Sequence, residues 1–310
     1  MTLKISVITA TRNRESTLNR VFKSLKSQTF KNFEWIVCDD SSDDKTINLL
    51  KKFKKKANFR IRIFHFKKRA GKPRIDNFCI KQSVGEFIVF ADSDDAFKKN
   101  SFADFIKEWS KIPNETKKKT FALISRIVTS EGKTLENKFN IGNKSISLID
   151  LNNLTQAKEK WLFIKKNIIN KYKFPEIDFY VPEGIVWEKI SKKYNVWIMD
   201  NCYRIFYSDT SNSITFSKKI NYTIGQLKSL ELEVLRKKDI KAKALLNYYR
   251  YLYINKYYLK YKTKEINYFN NKLKLIYKSI GFLFFIKDIM TLKINNDKFK
   301  KNYSNPIEIQ

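Results

Sequence analysis

The chain opens on an alternating, β-branched run, Lys4 to Thr9, which predicts a strand. Ser16 is placed as an N-cap, and after it Leu18, Val21, Phe22 and Leu25 recur at i, i+3, i+4 and i+7, the apolar stripe of a helix lying on a sheet. Phe33 to Cys38 is apolar with little alternation, as a parallel strand covered on both faces requires, and Asp39 and Asp40 follow at its carboxyl end. Thr46 to Phe53 predicts a helix with Leu49, Leu50 and Phe53 on one side, and Arg60 to Phe66 a third strand. Ile75 to Gln82 predicts another helix, and Glu86 to Phe90 a fourth strand that runs into Ala91-Asp92-Ser93-Asp94-Asp95. Strands alternating with helices mean βαβ units and a parallel sheet, and open sheets of that kind bind ligands beyond the carboxyl ends of their strands. The polar clusters fall at those ends: Thr9 to Arg14, Asp39-Asp40, and Asp92 to Asp95.

Further on the pattern is mixed. Ser101 to Trp109 predicts a helix, Phe121 to Thr129 a strand, Glu131-Gly132-Lys133 a turn, Trp187 to Tyr194 a helix and Val196 to Met199 a strand. Near Tyr222 the character changes. Residues 225–310 hold 19 Lys and Arg against 7 Asp and Glu, with 10 of the 16 tyrosines and no proline before Pro306. This predicts two or three amphipathic helices. No internal repeat is visible. The expected organisation is a nucleotide-binding half over 1–98, an acceptor-binding half over 99–222, and a basic, Tyr-rich helical region over 223–310.

Composition adds limits. In 310 residues, 43% apolar and 15% aromatic, there is enough apolar material for a core, which excludes a wholly disordered chain. Cys38, Cys79 and Cys202 stand too far apart for a metal-type or disulfide framework, which points to a reducing compartment. The apolar run at the N-terminus is too short for a secretory signal, and no stretch reaches the ~18–20 apolar residues of a spanning helix. The expected location is the cytoplasm. The formal net charge of +32 invites a nucleic-acid reading, but the joint excess of Lys, Ile, Asn, Phe and Tyr over Gly, Ala and Pro is also what AT-rich coding produces.

The clusters carry chemistry of their own. Asp92 and Asp94, two apart on chain read as still extended, share a face and offer hard oxygen ligands for Mg²⁺ or Mn²⁺. A turn capping the next helix is the bland alternative, which the position after strand four and the third carboxylate, Asp95, outweigh. Asp39 could accept hydrogen bonds from a nucleobase imide or a ribose, or cap the turn Ser41 to Asp44. Thr11-Arg12-Asn13-Arg14 supplies donors for a phosphate or base.

With these residues in view, Ile5-Ser6-Val7-Ile8-Thr9-Ala10-Thr11-Arg12-Asn13-Arg14 resembles the opening strand and loop of glycosyltransferase family 2, inverting enzymes of GT-A fold. Trp35 to Thr46, with Asp39-Asp40 inside it, resembles that family's second block. Gly71-Lys72-Pro73-Arg74-Ile75-Asp76-Asn77 is similar to its G-x-x-x-A-x-N block, with Ile75 in place of alanine. Phe87 to Asp95 is similar to its D-x-D-D metal motif, Val181 to Trp187 to its later acidic motif, and Tyr203-Arg204-Ile205-Phe206-Tyr207 to the strand that follows. The resemblance covers residues 4 to 207. It implies a GT-A, Rossmann-like α/β fold, with a mostly parallel central sheet flanked by helices and a C-terminal helical appendage.

The resemblance also implies roles. Thr9, Thr11, Asn13 and Arg14 would line the nucleotide pocket, with Asp39 on the uracil of a UDP-sugar. Asp92 and Ser93 would lie on the ribose or sugar side, Asp94 with Asp92 on Mn²⁺ or Mg²⁺ at the diphosphate, and Lys72 and Asn77 on nucleotide or sugar. Glu183 would be the general base toward a hydroxyl of a glycan or lipid-linked acceptor, as in bacterial surface polysaccharide synthesis. Its bracketing by Pro182 and Gly184 suits an irregular, exposed segment, and Glu176 and Asp178 are the substitutes. Many members have Glu-Asp where this chain has Glu183-Gly184. Many also have a metal-ligating histidine where this chain has Tyr207 or Ser208. The one histidine, His65, is read as a structural residue of strand three.

Two rivals are weaker. A nucleotidyltransferase would want a Gly-rich loop after strand one, and Thr9 to Arg14 contains no glycine. A non-enzymatic nucleic-acid binder could stack bases on the Tyr/Lys-rich stretch 248–262 but leaves the acidic sheet end unexplained, so no specific nucleic acid is expected. The C-terminal region is expected to hold the enzyme on an anionic membrane surface, the inner face of the cytoplasmic membrane. Its tyrosines, among them Tyr248, Tyr249, Tyr251, Tyr253, Tyr257 and Tyr258, are interleaved with Lys and Arg, and the knot Ile280 to Ile286 is long enough for shallow insertion. The alternatives are packing on the catalytic domain and a homodimer interface.

Overall fold

The computed structural model describes residues 4–135, 139, 144–155, 160–209, 223–236, 242–258, 271–291 and 305–309. The boundary expected near Tyr222 lies outside them. The chain divides into two compact units. The first comprises Met1–Phe174, Val186–Thr210 and Asn302–Gln310, and the second Pro175–Ile185 and Ser211–Lys301.

The first unit begins with the predicted βαβ alternation: β1 (Ile5–Thr11), α1 (Leu18–Lys26), β2 (Phe33–Asp40), α2 (Thr46–Lys56), β3 (Arg60–Phe66), α3 (Lys72–Gln82) and β4 (Phe87–Phe90). β3, β2, β1 and β4 lie side by side in that order and all parallel. Successive residues of β1 and β2 alternate between two apolar layers. Val7, Trp35 and Val37 pack under α1 and α2, while Ile8, Ile36 and Cys38 pack on the α3 side. That is why these strands read as almost unbroken apolar runs. In α1 the stripe Leu18, Val21, Phe22 and Leu25 is buried as predicted, and Phe22 stacks on Phe53 of α2 with ring centroids 4.2 Å apart. The helix opens one residue later than expected, after Thr17 rather than Ser16. The Thr17 hydroxyl donates to the carbonyl of Ser93 at 3.0 Å instead of capping the helix.

Past β4 the sheet becomes mixed. β5 (Ala96–Phe97), α4 (Ser101–Lys111), α5 (Asn114–Lys119), β6 (Thr120–Thr129), β7 (Ser145–Ile146), α6 (Leu148–Thr155), β8 (Trp161–Lys165), α7 (Lys166–Ile169), α8 (Gly184–Ser191) and β9 (Asn195–Phe206) follow. β8 pairs antiparallel with both β4 and β6, and β6 runs parallel to β9. β9 is one long strand that joins the two segments the sequence suggested, 196–199 and 203–207. Its far end pairs with β5 so that Phe97 faces Arg204.

The second unit contains α9 (Thr223–Arg236), α10 (Ala242–Tyr253), a π-helical turn at Ile254–Tyr258 and α11 (Asn271–Met290). The tail then returns to the first unit as β10 (Ile307–Ile309), antiparallel on β3, where the sequence pattern gave only helix. Tyr248 and Tyr249, expected at a headgroup layer, are instead fully buried against Leu227, Leu245 and Leu252. The side chain of Tyr258 lies outside the described residues.

Candidate active site

At the carboxyl ends of β1, β2 and β3 three polar residues stand in one row: Thr11 is in register with Asp39, and Asp39 with His65. Asp39 is fully buried. It accepts the Ser42 amide at 3.0 Å and the Ser42 hydroxyl in a shorter contact, and its Oδ2 lies 2.9 Å from Nδ1 of His65. The backbone reaches it because Ser41 is left-handed (φ 60°), which turns Ser42 back over the strand end. Thr11 Oγ1 is buried and has no hydrogen-bond partner among the described residues. A buried hydroxyl left unpaired costs free energy, so it marks a place where a polar ligand group would be satisfied.

The loop after β1 is stitched to the loop after β2. Asn13, left-handed at φ 53°, donates its amide to Ser42 Oγ at 2.9 Å and accepts the Asp43 amide on its side-chain oxygen at 3.1 Å. The Arg14 amide donates to Thr46 Oγ1 at 2.9 Å. Asn13 therefore shapes the loop. Thr9 sits deeper than the sequence suggested: it is buried, and its hydroxyl accepts the Trp35 indole N–H at 2.9 Å, inside the core.

Asp40 accepts the backbone amides of Ala70 and Gly71 at 2.5 and 3.1 Å. Burial raises its pKa, against the pull of those amides and of Arg69 and Arg12. Gly71, at φ 87°, makes the left-handed turn that opens α3, a conformation a side chain would strain. Lys72 then pairs with Asp76 at 2.8 Å, its ammonium 5.3 Å from the Phe90 ring centroid. Asn77 spends its amide in both directions on the Phe174 backbone, at 2.9 Å each, and so braces that segment.

The fourth strand ends in a turn. The chain from Asp92 is not extended, as the i, i+2 reading required: the Asp95 amide closes on the Asp92 carbonyl at 3.4 Å. Arg204, from β9, enters this turn. Its Nη2 donates to Asp92 Oδ2 at 2.6 Å, and its Nε donates to Asp95 in a shorter contact. The strand holding it was visible in the sequence, but the role of Arg204 was not. An arginine amid Tyr203, Ile205 and Phe206 is the signal that could have found it, because a buried guanidinium demands a carboxylate. Burial pushes the Asp92 carboxyl up, but Arg204, Lys72 and Arg14 outweigh it and hold the pKa below its usual value. Asp94 is raised, by burial and then by the charge of Asp92, against Arg14 and Arg204. Asp95, 1% exposed, is raised to about 7, chiefly by burial, with Asp92 and Asp94 adding and Arg204 opposing.

Arg204 thus contacts two of the three carboxylates, Asp92 and Asp95, and Arg14 and Lys72 add positive charge beside Asp92. Asp92 and Asp94 are the two that are not fully buried, and no group of three or more candidate ligands occurs among the described residues. Two carboxylates at most suit Mg²⁺ or Mn²⁺, which usually take one or two from the protein and the remainder from phosphates and water. After β9, where many family members carry a histidine, the Tyr207 amide reaches Asp95 at 3.4 Å, and the Tyr207 ring lies under Arg20 at 4.2 Å. Arg20 is also paired bidentately with Asp209.

Glu183 belongs to the second unit. It is half-buried in the turn Pro182–Ile185 that opens α8, where the Ile185 amide donates to the Pro182 carbonyl at 3.2 Å. Of its substitutes, Asp178 is buried and accepts the amides of Phe179 (2.8 Å) and Gly225 (3.2 Å), a bracing role.

Known proteins resemble this chain in sequence and fold. The family model "Glycosyl transferase family 2" matches residues 6–174, more than half of the chain. A Campylobacter jejuni protein named GalNAc(5)-diNAcBac-PP-undecaprenol beta-1,3-glucosyltransferase is 28% identical over 258 residues, 80% of this chain and 81% of its own length. The crystal structure of Staphylococcus aureus TarS 1-349 in complex with UDP-GlcNAc superposes with TM-score 0.57 at 20% identity, covering 92% of this chain and 81% of that one. The sequence match to full-length TarS, a poly(ribitol-phosphate) beta-N-acetylglucosaminyltransferase, is 37% identical over 105 residues but spans only 18% of that protein. Pyrobaculum calidifontis mannosyltransferase PcManGT, in complex with GDP-Man and Mn²⁺, has TM-score 0.52 at 12% identity, covering 93% of this chain and 88% of that one. At these identities the two structures attest the fold.

Proposed function

Because the chain belongs to glycosyl transferase family 2 and is a glycosyltransferase, we propose that it transfers a sugar, with inversion, from a UDP-sugar to a hydroxyl of a lipid-linked glycan. The observation that carries this is the row Thr11–Asp39–His65 beside the Asp92–Asp95 turn, at the carboxyl ends of the four parallel strands. A uracil presents one imide N–H between two carbonyls. The Asp39 carboxylate accepts that N–H, and the unpaired Thr11 hydroxyl donates to a neighbouring oxygen. The name of the C. jejuni relative, which specifies an undecaprenol-linked acceptor, supports the acceptor class. The UDP-GlcNAc held by TarS supports the donor nucleotide.

Transfer is a single displacement. The acceptor oxygen attacks the anomeric carbon, the bond from that carbon to the diphosphate oxygen breaks, and Glu183 takes the acceptor's proton, a contribution typically of ~10²–10⁴-fold. Asp92 and Asp94 would hold Mg²⁺ or Mn²⁺, which neutralises charge developing on the departing UDP. Arg204 keeps Asp92 ionised and aimed. The test is UDP release across common UDP-sugars with Mn²⁺, repeated with an undecaprenyl-diphosphate-linked glycan. The expected result is turnover of one UDP-sugar, accelerated by that acceptor. Turnover of GDP- or CMP-sugars alone would overturn the donor assignment.

A further inference from the structure

Helix α11 packs one face on α10. Gly281, Phe285 and Asp288 make that face: a Cβ on Gly281 would meet Tyr249 Cβ at 2.6 Å and the Arg250 amide nitrogen at 3.2 Å, so only glycine allows this approach. Asp288, buried, is paired bidentately with Arg250. The opposite side is exposed and apolar. Of the ten exposed positions between Leu275 and Met290, eight are Leu275, Ile276, Ile280, Phe282, Leu283, Phe284, Ile286 and Met290, and only Ser279 and Lys287 are polar. On a helical wheel the outward arc runs from Phe282 through Met290 and Leu283 to Ile280, with Ser279 and Lys287 the polar positions inside it. Leu283 is 67% exposed and Met290 78%. A soluble surface does not usually carry so contiguous a patch without a partner.

We propose that this outward face of α11 lies in the interfacial layer of an anionic membrane, parallel to its plane. Charge selects that occupant. Residues 259–301 contain 11 lysines and 3 acidic residues. Asp288, the acid of α11, is buried in its ion pair, so the exposed face itself carries no negative charge. Two copies meeting through this face would set two such helices against each other, each with Lys272, Lys274, Lys278 and Lys287 and no exposed acid, whereas an acidic headgroup layer neutralises them. An apolar exposed side with aromatic Phe282 and Phe284 on it, on a helix whose charged residues are four lysines and the buried Asp288, is the composition of an interfacial helix. Spanning is excluded for the described helices, none of which is long and apolar enough to cross a membrane. The tyrosines, expected to make this contact, do not carry it, since Tyr248 and Tyr249 are core. The inference stands apart from the identity of donor or acceptor.

The test is flotation of the full chain with phosphatidylcholine vesicles containing 30% phosphatidylglycerol. Retention is expected at low salt, falling steeply at 0.3 M salt and on pure phosphatidylcholine. The double variant Leu283→Asp/Met290→Asp changes two solvent-exposed side chains, so its circular dichroism should match the parent while vesicle affinity falls at least tenfold. Lys287→Gln should weaken binding about fivefold. No retention on anionic vesicles at low salt overturns the proposal, as does a double variant that floats like the parent. A dimer that the double variant dissociates, without vesicle binding by the parent, assigns the face to a second copy instead.

Discussion

Replacing Arg204 with methionine tests the electrostatic account of the sheet end most directly. The guanidinium is 14% exposed and contacts Asp92 and Asp95, whose side chains are 38% and 1% exposed. The Asp92 contact is screened by solvent, so little of the cost resides there. Asp95 has no solvent to relieve it, but its carboxyl, already raised to about 7, takes a proton once the guanidinium is gone, so the loss is about 1–3 kcal/mol, below the ~3–5 kcal/mol of a buried charge left unpaired. At ~2–4 °C per kcal/mol for a domain of this size, Arg204→Met should melt about 2–12 °C below wild type at pH 8. The loss should shrink as pH falls. Asp95 has a folded pKa above its unfolded value, so the folded state binds more protons, and its contribution to stability is fullest below the unfolded pKa of 3.8 and declines as pH rises toward about 7. Without Arg204 the folded pKa rises further, which extends that decline to higher pH and leaves the variant nearer wild type at pH 5.5 than at pH 8. Differential scanning fluorimetry at the two pH values, with and without Mn²⁺, is the assay. Melting within 2 °C of wild type at both pH values would refute the argument that Asp92 and Asp95 depend on this guanidinium.

Three further outcomes are expected. Asp94→Asn should lose nearly all transfer while melting like wild type, and wild type in excess EDTA should behave alike; full turnover in either case removes Asp94 from the cation site. Glu183→Gln should lower turnover at least ~10²-fold with UDP affinity preserved by calorimetry, and a fully active Glu183→Gln beside a dead Glu176→Gln would move the base to Glu176. His65→Phe removes the partner that orients Asp39, so UDP affinity should fall about tenfold, by the ~1–1.5 kcal/mol of one hydrogen bond, with turnover at saturating donor within twofold; unchanged UDP binding would make His65 a strand residue only.

What the sequence disclosed follows from the range of the forces involved. β1 to β4 and α1 to α3 were legible because each buries an apolar face with its own periodicity, a signal contained in ten residues. β8 was not, since Trp161–Lys165 is too short to distinguish from a buried helical turn, and β5 and β10 are two and three residues long. The carboxylates were found by their place at strand ends. Their partners were not: Arg204 lies 112 residues from Asp92, and His65 meets Asp39 only through the β2–β3 register. Thr9, Asn13 and Asn77 lie in motif positions, yet the structure engages their side-chain oxygens with Trp35, Asp43 and Phe174, contacts that no local pattern announces.

The acidic turn and the basic chain make sense together on the proposed function. A chain of net charge +32 draws polyanions of every kind toward it, and that alone would suit a nucleic acid as well as a sugar nucleotide. Asp92, Asp94 and Asp95 work against such indiscriminate binding. A phosphate that approaches them bare is repelled at close range, where the low-dielectric walls of a buried turn strengthen the repulsion. A diphosphate that arrives with a divalent cation is attracted, because the cation answers the negative charge of Asp92 and Asp94. The long-range field therefore sets encounter, and the turn sets which phosphate stays. This is a division of labour that a simple basic groove lacks, and on the proposed function the excess lysine and the three aspartates are complementary rather than competing signals.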